Sequence, residues 1–174
     1  MVDHRQTNRR ASLREFQEGV SRRIAAAAST VREDVRLGVR SADRSWLVDL
    51  PDAGEIIPVV PLTPVPLTRP WFRGLANVRG TLYAAVDLGQ FLGGGATPAQ
   101  YARLMLAGRR SRVNAAVLVE RVLGLRYLRN MAPVQGRPRE AWVAAEYSDA
   151  DGQTWLELDV AALLGSPEFL EVAA

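Results

Sequence analysis

The stretch Trp71–Leu88, WFRGLANVRGTLYAAVDL, constrains this chain more than any other. Pro70 fixes the backbone on entry, and Gly74 and Gly80 bracket the short segment LANVR. Leu75 and Val78 are the larger apolar residues of that segment, and Arg79 stands beside the turning Gly80. TLYAAV follows, apolar with β-formers at both ends, and Asp87 opens DLGQFLG. Two apolar segments joined by an Arg-Gly corner predict a β-hairpin that leads into a short helix from about Asp87 to Leu92.

Composition removes several kinds of chemistry. The 174 residues suffice for one domain with a sizeable core or for two small subdomains. Cysteine is absent, so there is no disulfide, thiolate nucleophile or thiolate-bound metal. Lysine is absent too, which rules out a P-loop lysine, a Schiff base and a Ser-Lys dyad. His4, the one histidine, lies in the polar leading segment, away from any Ser-His pairing. The carboxylate pairs Asp149/Asp151 and Glu157/Asp159 fall in a turn and at a helix start, where acids usually face solvent. Asp149-Ala150-Asp151-Gly152 lacks the further ligands and closing Glu of a calcium loop. We expect no enzyme, cofactor or metal. No apolar run approaches the roughly 20 residues that cross a bilayer, and the N-terminus has no apolar signal core. A cytoplasmic protein is expected.

The net charge of +3 raises the question of nucleic acid. Residues 1–45 carry ten Arg against six acids, and 46–174 carry twelve against thirteen, so the basic excess sits in the leading segment. Such an arm is more often solvated than a binding element. The alternative function is a small β-barrel that binds nucleic acid through this Arg-rich N-terminus. It would need aromatic rings interleaved with Arg, for which Trp71-Phe72-Arg73 is the compact candidate.

Along the chain, residues 1–11 are polar and without period, which predicts disorder. Ser12-Leu13-Arg14-Glu15 is a capping box, and Leu13, Phe16, Val20, Ile24, Ala27 and Val31 mark one face of a helix over 13–31. That face either packs on the rest of the chain or docks a partner. From Val35 the pattern becomes strand-like: RLGVR, SWLVDL and EIIPVV, with Pro58 arguing for an edge or bulge. PLTPVPLTRP, 61–70, is a stiff extended loop. After the hairpin, Gly93-Gly94-Gly95 reads as a hinge. ARLMLAG, VNAAVLVE and VLGLRYL are the next strands, 129–140 is a loop, and AWVAAEYS and TWLELD flank a turn at DADGQ. Asp159 caps a short helix, VAALLG, that Gly165 and Pro167 stop. Eight to ten short strands with few helices predict two small barrels, not a parallel α/β sheet.

The aromatic turn, Gly74, Leu75, Asn77-Val78-Arg79-Gly80, the apolar strand and Asp87-Leu88 together resemble the signature of CheW-type coupling proteins. The resemblance extends less sharply from about Val35 to Gly165, and the N-terminal helix with the closing FLEVA is similar to the PilI-like branch that serves twitching motility. It implies a mainly β fold of two SH3-like five-stranded barrels over 35–174, preceded by a tail and helix over 1–34, with the 93–95 glycines near the crossing between barrels. It also implies a non-catalytic adaptor, recruited to membrane-associated receptor arrays. Such an adaptor couples the cytoplasmic tip of a methyl-accepting chemoreceptor to the regulatory domain of a CheA-type histidine kinase, here in type IV pilus signalling.

The candidate contact residues are Glu55, Ile57, Trp71, Phe72, Arg73, Val78 and Arg79, with Gly74, Asn77, Gly80, Asp87 and Leu88 as structural members of the motif. Trp71, Phe72 and Arg73 follow the proline-stiffened loop, which would present them at the surface; the alternative is that the two rings are core. By the resemblance, Glu55 and Arg79 form an ion pair, a role that suits a guanidinium because its planar fork meets both carboxylate oxygens.

Overall fold

The computed structural model describes residues 34–108, 111, 113–136 and 140–174. The tail and helix expected over 1–31 lie outside the described residues. Among those described, the strands are β1 (Val35–Ser41), β2 (Arg44–Asp49), β3 (Ile56–Pro58), β4 (Leu62–Thr63), β5 (Phe72–Val78), β6 (Thr81–Asp87), β7 (Arg103–Leu106), β8 (Ala115–Val119), β9 (Arg121–Tyr127), β10 (Ala132–Pro133), β11 (Val143–Ser148) and β12 (Thr154–Leu158). Four short α-helices accompany them: α1 (Leu50–Ala53), α2 (Leu88–Phe91), α3 (Val160–Gly165) and α4 (Pro167–Leu170), with a 3-10 turn at Leu128–Asn130.

The strands form two six-stranded sheets, ordered β10-β11-β12-β2-β1-β9 and β3-β7-β8-β6-β5-β4. The mainly β architecture is as expected, with six strands per sheet in place of five. The additional pieces, β4 and β10, are two-residue strands at sheet edges beside prolines. Proline donates nothing to a ladder and is tolerated at an edge, so neither piece carries a strand-like sequence pattern. Most neighbours are antiparallel, but β2 with β12 and β6 with β8 run parallel. The chain passes from the first sheet to the second through α1 and returns between β8 and β9, where Glu120 N–H donates to the Arg40 carbonyl at 3.0 Å. The 93–95 glycines join β6 to β7 inside one sheet, so the passages between sheets fall elsewhere.

Strand alternation gives the second sheet two buried faces. All five residues of β8 are buried. Ala115, Val117 and Val119 join Trp46, Val48, Val86, Met105 and Leu163 in the larger core, which takes residues from both sheets. Ala116 and Leu118 join Ile57, Ala76, Ala85, Leu104 and Leu106 in a smaller one. A continuous apolar run is what a strand needs when covered on both sides. In the first sheet, Arg36 sits between two acids, with Nε 2.6 Å from Glu157 and Nη1 3.7 Å from Asp49.

Two local devices set strand geometry, and each carries a prediction. Gly74 forms the bulge of β5, where the register against β6 shifts between Phe72 and Gly74. Its φ is +110°, and a Cβ there would lie 2.1 Å from the Thr63 carbonyl oxygen of β4. Gly74→Ala meets both a left-handed backbone and a main-chain clash, and is expected to cost about 2–4 kcal/mol; denaturant unfolding within about 0.5 kcal/mol of the parent would contradict this assignment.

The second device is the β11–β12 turn, tied by Asp149. Its Oδ1 accepts from the N–H groups of Asp151 and Gln153 at 3.0 and 2.9 Å, and Oδ2 accepts from the Trp155 indole at 2.9 Å. The indole bond, then the Gln153 amide, hold this carboxyl below its usual 3.8. A carboxyl depressed in the folded state contributes stability that is complete above the unfolded value of about 3.9 and lost as pH falls through the folded one. The Trp155 indole resonance should therefore hold its position down to about pH 4 and shift only below it, and Asp149→Asn should remove that acid-range component. A titration centred above pH 4 would overturn the assignment.

Candidate protein-binding site

The hairpin of β5 and β6 turns on Arg79 and Gly80, at φ +53° and +85°. Both values are positive, as in a type I′ turn, whose twist matches that of the strands it joins. Asn77 fixes the corner by accepting from Gly80 N–H through Oδ1 at 2.9 Å. The Arg79 side chain extends from this rigid corner to Glu55 and makes the expected fork: Nη1 to Oε2 at 2.9 Å and Nη2 to Oε1 at 2.6 Å. The hydrogen bonds and charge of Glu55 raise the affinity of Arg79 for its proton. Glu55 is itself anchored by the main chain, since its carbonyl accepts from Leu106 N–H at 2.8 Å. The Arg79 side chain is 74% exposed and that of Glu55 44% exposed, so the pair is presented to solvent on a fixed frame. Leu82, 57% exposed, lies on the same hairpin opposite Asn77.

Asp87 does the opposite work. It is fully buried. Its Oδ1 caps α2 by accepting from Gln90 N–H at 3.3 Å and also accepts from the Thr97 hydroxyl at 2.6 Å. Oδ2 accepts from Thr97 N–H at 2.9 Å, with Arg73 Nη1 at 3.7 Å. Arg73 also donates to Gln90 Oε1 at 3.4 Å. A buried carboxylate is costly unless donors and a countercharge surround it, and these residues supply both. Thr97 carried no signal in the sequence, because it stands ten residues beyond the carboxylate it serves, after a run of glycines.

Trp71 is 8% exposed and sits in the larger core. Its ring meets Phe91 edge-on at 5.3 Å and stacks on Phe169 at 5.8 Å, while Phe91 also touches Trp142 at 5.5 Å. Of the two placements open to Trp71, surface or core, the structure shows the core one, and the Trp71 carbonyl accepts from Asp87 N–H at 2.8 Å. Phe72 is half-buried against the same core. Ile57, also 8% exposed, belongs to the smaller core, and half-buried Val78 packs against it. Leu88 is buried. With Trp71 enclosed, the Trp71-Phe72-Arg73 candidate does not present the Trp71 ring for stacking.

Among the described residues no group of three or more His, Asp or Glu is placed to hold a metal ion. No described helix is long and apolar enough to cross a membrane. Of the motif's features, the hairpin turn and its ion pair remain at the surface, with Leu82 exposed beside them. Residues 36–168 match the CheW-like domain, and the chain belongs to that family. It is 31% identical over 110 residues to Protein PilI of Pseudomonas aeruginosa, covering 61% of this chain and 62% of that protein. The fold is similar to that of the scaffolding protein TtCheW from Thermoanaerobacter tengcongensis, with a TM-score of 0.64, 18% identity, and coverage of 78% of this chain and 94% of the other. The CheW-like family is non-catalytic.

The polar knot generates a prediction. Asp87→Ala leaves the Thr97 and Gln90 amides and Arg73 without their acceptor and is expected to cost about 3–5 kcal/mol. Thr97→Val removes the hydroxyl alone and is expected to cost about 1–2 kcal/mol. Equal losses in the two variants, measured by denaturant unfolding, would show that Asp87 does not organise the knot.

Proposed function

We propose that this chain couples the cytoplasmic tip of a methyl-accepting chemoreceptor to the regulatory domain of a CheA-type histidine kinase in type IV pilus signalling. It would act in the cytoplasm, at membrane-associated receptor arrays. The supporting observation is the Glu55–Arg79 fork, exposed on a rigid hairpin inside a CheW-like domain. Similarity to Protein PilI supports the pilus assignment. Because that match covers less than two thirds of the relative, the pathway belongs to the proposal and not to the fold.

An exposed ion pair contributes little to folding, so its geometry is available for recognition. The fork holds Arg79 in one orientation, and a partner meeting it finds fixed donors with no ordering cost at the moment of contact. Leu82 supplies apolar surface near the turn of the same hairpin.

Purified receptor tips and kinase regulatory domains from pilus systems should be captured by the full chain. Glu55→Ala and Arg79→Ala should each weaken capture about tenfold, with the double variant no worse than either single, and with the melting temperature nearly unchanged. Strictly additive effects, or retained capture in both single variants, would defeat the role of the fork. Absence of capture by the parent chain would defeat the coupling function.

A further inference from the structure

Two arginines stand near the junction of the two sheets. Arg103 opens β7 of the second sheet and Arg121 opens β9 of the first. With Tyr101 and Val122 they line a surface cavity of about 390 Å³. The Arg121 guanidinium lies over the Tyr101 ring, 4.8 Å from its centroid. Arg103 Nη1 donates to the carbonyls of Ala102 at 2.8 Å and Tyr101 at 3.4 Å. Both arginines are exposed, and Tyr101 is 54% exposed.

Neither guanidinium has a carboxylate within ion-pairing distance among the described residues. Glu120 precedes Arg121 in sequence but makes no ion pair with it. The contrast with another arginine-lined cavity is direct. That cavity, about 450 Å³, contains Arg40 and Arg44, which are neutralised by Asp43 at 3.6 Å and Glu140 at 3.3 Å. Arg36, Arg69, Arg73 and Arg79 likewise have acidic partners. The Arg103–Arg121 cavity thus holds two like charges with no counterion among the described residues.

The orientation of each group is already fixed. Stacking on a tyrosine face holds the Arg121 plane. Arg103 uses one nitrogen on backbone carbonyls, which leaves its other N–H groups for a ligand. A carboxylate meets such guanidiniums through paired charge-assisted hydrogen bonds. The Tyr101 ring and Val122 add apolar surface that a free inorganic anion would leave uncovered, whereas an acidic side chain flanked by apolar residues would cover it.

We infer that this cavity is a docking point for an acidic side chain of a protein partner, with Arg103 and Arg121 binding its carboxylate and Tyr101 and Val122 packing beside it. The inference rests on the scaffold reading, since it supplies a second contact in addition to the Glu55–Arg79 corner. It adds specificity, because a partner lacking the acid would leave two desolvated cations unmatched.

The test uses the full chain and a synthetic peptide carrying one glutamate between leucines, with the glutamine peptide as its match. Titration is followed at the arginine Nε–Hε resonances. The glutamate peptide should shift Arg103 and Arg121 and bind at least tenfold tighter than the glutamine peptide, with affinity falling as salt rises. Arg121→Gln should abolish that discrimination. Arg103→Gln should do the same, and because Arg103 also ties backbone carbonyls, Arg121→Gln serves as the variant that leaves those bonds in place. Equal binding of the two peptides would overturn the inference. So would shifts produced by inorganic phosphate or phosphatidylserine vesicles without any from the glutamate peptide. Failure here with receptor and kinase capture intact removes this docking point alone, whereas loss of capture with peptide discrimination intact removes the coupling reading.

Discussion

A single buried carboxylate organises the centre of this fold. Asp87 ends one strand, caps the helix that follows, accepts two bonds from Thr97 and neutralises Arg73 on the neighbouring strand. Its backbone N–H reaches the Trp71 carbonyl, and Trp71 in turn stacks with Phe91 and Phe169. The polar knot and the aromatic cluster are therefore two sides of one arrangement. They also meet at Phe91, which ends the helix that the carboxylate caps and contacts both Trp71 and Phe169. Outside water, an anion with its donors in place is stable, and the same anion with one donor missing is a liability.

That division of labour explains why the motif combines buried and exposed charges. Asp87 and Arg73 belong to the scaffold's stability. Glu55 and Arg79 lie at the surface, where screening leaves an ion pair little part in holding the fold. The hairpin between them transmits rigidity from the first pair to the second, through a turn whose two residues both take positive φ. A recognition group placed on such a frame loses little conformational freedom when a partner arrives.

Much of this was legible from residue patterns, and the remainder has physical reasons for being hidden. The hairpin showed in its glycines and its two apolar segments, and the helix starts showed in Asp87 and Asp159, both of which cap through their side chains. The Glu55–Arg79 pair came from the family resemblance and is present in the structure. The edge strands β4 and β10 were hidden because two residues beside prolines present no period. The closing segment Pro167–Leu170 forms a helix capped by Ser166, where Pro167 reads equally as a stop and as a first helical residue. Trp71 was ambiguous because a ring after a stiff loop can point either way, and only the long-range bond from Asp87 decides it. Thr97 and the pairing of Arg103 with Arg121 depend on tertiary proximity, which local spacing does not encode.

The parallel pairing of β2 with β12 has a consequence for how the chain is made. Ser45 stands opposite Trp155, and Val48 opposite Leu158. The second sheet is assembled from one continuous run, β3 to β8. It can be completed while the ribosome is still translating. The first sheet cannot, because β2 waits for a neighbour about 110 residues downstream, on the order of 5–20 s at about 5–20 residues per second. During that interval the β1–β2 ribbon, with Trp46 and Leu47 awaiting cover, is an open edge in a nascent chain. Vulnerability to misassembly is thus concentrated in the earliest strands, and it ends only when the last strand emerges.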